Sequence, residues 1–213
     1  MRIGCLHTAE SNMALFDAAR DGLDIQLVHN VRPDLLEATE REGGLTGAVA
    51  AETIWALRQL EDEADAVILT CSTLGPAVDL VPEARVPWIR ADAALADLAV
   101  VGARHLAVLC AAETTLVSTT ELFNAAAARL GAHPQIDVWL VPGAWDAFKD
   151  GNIALYYLML AEAANAAYSG GADVVAFAQA SMAGAALDAQ HGIPLTSPRA
   201  ALERAVELAA ERS

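Results

Sequence analysis

Cysteine is scarce in this 213-residue chain, which has only Cys5, Cys71 and Cys110. An odd, sparse set is no disulfide framework, and the spacings match no zinc-binding motif. Basic residues are scarce too. Lysine and arginine total 13 against 28 aspartates and glutamates, a formal net charge of −15 at pH 7. So acidic a surface repels phosphate backbones and anionic lipid, which excludes nucleic acid and a membrane surface as expected partners. Long apolar runs are missing as well. The uncharged stretches Ala66–Val78 and Val174–Leu187 fall short of the roughly 18 apolar residues a membrane helix needs. The opening segment, MRIGCLHTAESN, meets His7 and Glu10 too early to hold a signal-peptide core. A cytoplasmic location is the expectation.

What is present is a large apolar fraction, 55%, with 19% charged residues, enough for a sizeable core. Short apolar runs alternate with helical patterns. Strands are expected at Arg2–Leu6, Ile25–His29, Ala66–Thr70 and Val86–Ile89, and again at Leu106–Cys110, Ile136–Val141, Val174–Ala178 and Pro194–Thr196. Helices are expected at Ser11–Arg20, Leu35–Arg41, Thr46–Glu61, Asp92–Val101, Thr115–Leu130, Ile153–Ser169 and Arg199–Arg212, with a short one starting at Asp146. This order implies an α/β fold with parallel sheets. Residues repeat along with the pattern. Thr8-Ala9-Glu10-Ser11-Asn12 answers to Ala111-Ala112-Glu113-Thr114-Thr115, and the stretch Asp65–Leu74 answers to Asp173–Met182. The chain therefore reads as a duplication. It predicts two pseudo-symmetric lobes, residues 1–91 plus 198–213 and residues 92–197. Each would be a four-stranded parallel sheet flanked by helices, with the active site in the cleft between the lobes.

Ligands of open α/β sheets bind beyond the carboxyl ends of the strands. That singles out the loops His7–Asn12, Cys71–Gly75, Ala111–Thr115 and Gln179–Ala183. Ser11, Asn12, Ser72, Thr73, Thr114, Thr115 and Ser181 in these loops can cap helices, bind a carboxylate, or do both. Glu10 and Glu113 read as stabilising charge in a first helical turn. Cys71 closes a strand just before a turn. A helix N-terminus there would lower its thiol pKa and suit it to act as a base. Cys5 and Cys110 read as small buried hydrophobes. His7, placed in the first polar loop, is a second candidate for proton transfer. His29 ends a strand and could approach the same place. His105, His133 and His191 read as solvated. Trp145, Phe148, Tyr156 and Tyr157 have the helical spacing of a core or a dimer surface.

Leu69-Thr70-Cys71-Ser72-Thr73 resembles the first cysteine motif of the aspartate/glutamate/hydantoin racemase superfamily. Gln179-Ala180-Ser181-Met182-Ala183 is similar to the segment in which hydantoin racemases carry Cys-Ala-Gly-Met-Ala. The resemblance implies an enzyme without metal or organic cofactor, commonly a homodimer, acting on a small carboxylate. It implies proton removal at the carbon next to the carboxylate, with Cys71 as one of two opposed thiols and with Ser11, Asn12, Thr73 and Thr115 at the carboxylate. Here Gln179 occupies the second cysteine position, and an amide neither takes nor gives a proton. Gln179 and Ser181 would then orient the substrate. The main expectation is a racemase-like isomerase of a small amino acid or related acid with one cleft cysteine. The alternatives are a one-thiol decarboxylase, a cis-trans isomerase of a small dicarboxylate, and a catalytically silent carboxylate-binding protein.

Overall fold

The computed structural model describes every residue except Pro82 and Ser213. The chain divides into two compact units, Met1–Ala94 with Pro198–Ser213, and Leu95–Ser197.

The first unit holds strands β1 (Arg2–His7), β2 (Gln26–Val31), β3 (Ala66–Leu69) and β4 (Trp88–Arg90). All are parallel, in the order β2-β1-β3-β4. Helices α1 (Ser11–Ala19), α2 (Pro33–Glu42), α3 (Gly47–Glu61) and α4 (Pro76–Asp79) connect them, and α5 (Ala91–Gly102) leads onward. The second unit holds β5 (His105–Cys110), β6 (Gln135–Leu140), β7 (Val174–Phe177) and β8 (Leu195–Thr196), again parallel, in the order β6-β5-β7-β8. Its helices are α6 (Leu116–Leu130), α7 (Ala144–Lys149) and α8 (Ile153–Ser169). A 3₁₀ run at Ala180–Asp188 follows, and α9 (Ser197–Ala210) returns the chain to the first unit. The two units thus repeat one sheet topology in one chain order.

Local chemistry explains these elements. β1, β3, β5 and β7 are nearly continuous apolar runs, as strands covered on both faces must be. The helices stop where a cap is available. Thr46 accepts from the Val49 N–H to start α3, Asn152 accepts from the Leu155 N–H to start α8, and Gly131 closes α6 in a left-handed conformation. Matched aspartates pin the sheets. Asp65 accepts from the Arg2 N–H at 2.8 Å, while Asp173 accepts from the N–H groups of Arg104 and His105.

In the first unit, Leu6, Leu57, Val67, Leu69 and Leu74 form a core beneath α2 and α3. In the second, Leu109, Tyr156, Leu160, Phe177 and Met182 do the same around α8. Each such fully buried side chain contributes about 1.5–3 kcal/mol. Trp145 stacks on Phe148, and both pack with half-buried Tyr157 against buried Tyr156, so this aromatic group serves the core. Among the described residues, no helix is long and apolar enough to cross a membrane.

Two expectations are corrected. The Cys71 loop opens only the four-residue α4, and the Gln179 loop opens a 3₁₀ run instead of an α-helix. Helix α4 begins at Pro76, which has no N–H to offer, so Cys71 gains no appreciable helix field.

Candidate functional site

The central strands of each sheet are its first and third in chain order, so each unit brings the loops after those strands side by side. In the first unit, Cys71 follows β3 and Thr8 follows β1. Burial pushes the Cys71 thiol up from its ordinary pKa. Hydrogen bonds from the Thr8 hydroxyl, the Leu74 and Thr73 N–H groups and the Thr73 hydroxyl pull it back only in part. The net direction is upward, which corrects the expectation of a lowered pKa. The same groups favour a thiolate when one forms.

Ser72 and Thr73 are half-buried in the turn after Cys71. Below it, Arg90 is held by Asp92 and by Asp79 of α4. Gly75 makes that approach possible, since a Cβ there would lie 2.7 Å from the Arg90 guanidinium. Ser11 is exposed in the first turn of α1. Asn12 beside it is buried, and its Oδ1 has no hydrogen-bond partner among the described residues.

His7 does not lie in the loop. It is the last residue of β1, fully buried, with Phe16 edge-on to its ring. Its Nδ1 is 3.0 Å from the Thr70 hydroxyl, and that hydroxyl donates to the Leu6 carbonyl. The hydroxyl proton being used there, Thr70 accepts, so His7 carries its proton on Nδ1. His7 Nε2 then accepts from His29 Nδ1 at 2.8 Å. Burial and the neighbouring His29 lower the His7 pKa to about 3. A neutral ring with both nitrogens engaged is poorly suited to move a substrate proton.

In the second unit, Gln179 follows β7. Its Oε1 accepts from the Ala111 N–H at 2.8 Å, and its Nε2 donates to the Thr115 hydroxyl at 2.6 Å. Thr115, buried, donates in turn to the Ala112 carbonyl. Cys110 ends β5 beside Thr119 and Thr115, and burial raises its pKa. Thr114 is exposed and contacts none of these groups through a hydrogen bond. Ser181 is buried and shares a 2.9 Å hydrogen bond with Tyr156.

Sequence reasoning missed Thr8 and Arg90, and it gave Tyr156 a packing role without its bond to Ser181. Thr8 was within reach of it, since the repeat pairs Thr8 with Ala111 and Cys71 with Gln179, and the two pairs touch in matching places. Arg90 lies two residues from Asp92, a local signal that could have marked it, whereas the bond of Tyr156 to Ser181 spans 25 residues.

No protein-family model matches the chain, and no curated protein matches it in sequence. Solved structures do match in shape. Picrophilus torridus aspartate racemase aligns over 98% of this chain and 94% of its own, with a TM-score of 0.74 at 13% identity. Allantoin racemase from Klebsiella pneumoniae aligns over 100% and 89%, with a TM-score of 0.70 at 15% identity. Unliganded arylmalonate decarboxylase aligns over 98% and 92%, with a TM-score of 0.59 at 20% identity. With its two four-stranded parallel sheets in one repeated order, the chain shares its fold with these aspartate and allantoin racemases.

Proposed function

We propose that the chain is a cofactor-independent enzyme of the aspartate/glutamate/hydantoin racemase superfamily that moves a proton at the carbon next to the carboxylate of a small amino acid or related acid. Cys71 is the proposed base. The observation that carries this reading is the placement of Cys71 at the end of the central strand β3, where Thr8, Thr73 and the Leu74 N–H counter the effect of burial on its thiol. Those donors stabilise the thiolate that takes the α-proton, and the enolate-like charge left on the substrate carboxylate needs donors of its own. Ser11, Asn12, Ser72 and Thr73 are proposed to hold the substrate's polar groups. The unpartnered Asn12 Oδ1 suits a donor such as an α-ammonium group, which favours an amino acid. A homodimer and a cytoplasmic location belong to the same reading.

Gln179 gives reason for a second reading. An amide fixed by Ala111 and Thr115 supplies no proton, so a reaction with a single thiol step, such as decarboxylation of a small dicarboxylate, fits the same residues. Products separate the two. The wild-type protein is incubated with candidate 2-amino acids and 2-substituted malonates, followed by chiral chromatography and CO₂ measurement. Substrate of unchanged mass, inverted as solvent returns a proton to the opposite face of the α-carbon, is expected for the first reading, and CO₂ release for the second. Because the Cys71 pKa is raised, the rate is expected to climb with pH through the alkaline range as thiolate forms. Tight binding with neither product would make the protein a carboxylate sensor.

A further inference from the structure

A cluster beneath α1 in the first unit takes no part in the proposed reaction. Cys5 and His7 lie two residues apart on β1, so both side chains project from the same face of the sheet. His29 on β2 sits directly opposite Cys5 in the strand register. One ligand atom from each of Cys5, His7 and His29 lies within 4.8 Å of the others. Cys5 and His7 are fully buried, and Phe16 and Asp17 of α1 cover the group.

We propose that Cys5, His7 and His29 form a buried site for one zinc-type divalent ion, held by Cys5 Sγ, His7 Nε2 and His29 Nδ1. The hydrogen-bond pattern supports this. Thr70 already fixes the His7 proton on Nδ1, which leaves Nε2 with its lone pair aimed at His29. His29 is less well satisfied. Its Nε2 is a buried atom with no hydrogen-bond partner among the described residues, and an Asp17 carboxylate oxygen lies 3.7 Å away. Binding an ion through Nδ1 would place the His29 proton on Nε2, facing Asp17. That is the carboxylate–histidine–metal arrangement found around many metal sites. The orphaned nitrogen would then have a partner.

Charge and distance agree with the assignment. The ion displaces the Cys5 thiol proton to solvent as the sulfur–metal bond forms, so the sulfur binds as a thiolate. The thiolate and the Asp17 carboxylate together balance a 2+ charge. Tetrahedral binding, with a solvent oxygen as the fourth ligand and metal–nitrogen bonds of about 2.05 Å, needs the two imidazole nitrogens roughly 3.3 Å apart. They stand 2.8 Å apart, so a small rotation of the partly exposed His29 ring opens the site. A bound ion would tie β1 to β2 and immobilise His7, whose neighbour Thr8 touches Cys71.

The test uses the full chain, stripped of metal and then titrated with Zn(II) by calorimetry and with Co(II) by absorbance. One ion per chain is expected, with the cobalt spectrum showing thiolate charge transfer and tetrahedral d–d bands. Cys5→Ser and His29→Gln should each weaken binding at least ~100-fold. Asp17→Asn, a change at a half-exposed side chain that leaves the core intact, should weaken it about 10–100-fold. Cys71→Ser should bind as wild type does. Absence of stoichiometric binding, a cobalt spectrum without sulfur, or loss of binding in Cys71→Ser instead of Cys5→Ser would overturn the proposal.

Discussion

Gln179 shows how much one side chain can fix. Its amide spans two partners of opposite character, accepting from the Ala111 N–H and donating to the Thr115 oxygen. Glutamate has the same shape but no proton to donate at pH 7. Gln179→Glu is therefore expected to lower stability by about 1–3 kcal/mol, because a carboxylate oxygen would face the Thr115 lone pairs. Urea unfolding at pH 7 measures this, and an unchanged midpoint would show that the Thr115 bond carries no weight. Gln179→Cys places a thiol where the sequence resemblance puts a second cysteine, and under the proposed function it should introduce or raise racemisation, read by chiral chromatography. Cys71 could be singled out from the sequence because its strand end and the repeat both mark it. The burial of His7 could not, since it is decided by Phe16 on α1 and His29 on β2, which only the folded chain brings to it. The upward direction of the Cys71 thiol pKa is hidden from the sequence for a related reason. It depends on how densely the site is packed and on how short α4 is, and neither is written in the motif.

Among the elements, the end of α3 is secured to the segment leading into β4 by one carboxylate. The Glu61 side chain is fully buried and accepts from Arg58, from the Arg85 backbone N–H at 3.0 Å and from the Trp88 indole at 2.9 Å. Burial alone would raise its pKa, but these donors and the Arg58 charge outweigh it, and the net direction is down. A carboxyl with a lowered folded-state pKa stabilises the fold above its unfolded value, near 4.3, and loses that contribution as pH falls through the folded value. Glu61→Gln is thus expected to cost about 3 kcal/mol at pH 7, with the gap to wild type closing as pH drops below about 4. Thermal unfolding of both proteins from pH 7 to pH 3 measures it, and a gap independent of pH would contradict the assignment. Strands and long helices were legible because apolar runs end at turn residues such as Gly43-Gly44 and Asp150-Gly151. Helix α4 and the 3₁₀ run Ala180–Asp188 were not. The first lasts a single turn after Pro76, and the second has an alanine-rich pattern that a loop could equally show.

At the scale of the whole molecule, the duplication is the clearest message the sequence carries. It survives in the shared strand order, in the paired aspartates Asp65 and Asp173, and in the contacts Thr8–Cys71 and Ala111–Gln179. The copies have diverged where chemistry is concerned, with a thiol in one and a locked amide in the other. The proposed function follows from that divergence, with Cys71 as its proposed base and Gln179 as its counterpart in the second copy. The most direct test follows the α-proton of a substrate acid by NMR in D₂O, with wild-type protein and with Cys71→Ser. The account predicts deuterium at the α-carbon with the wild type and at least a ~100-fold slower exchange with the variant. Exchange at the wild-type rate in Cys71→Ser would contradict it.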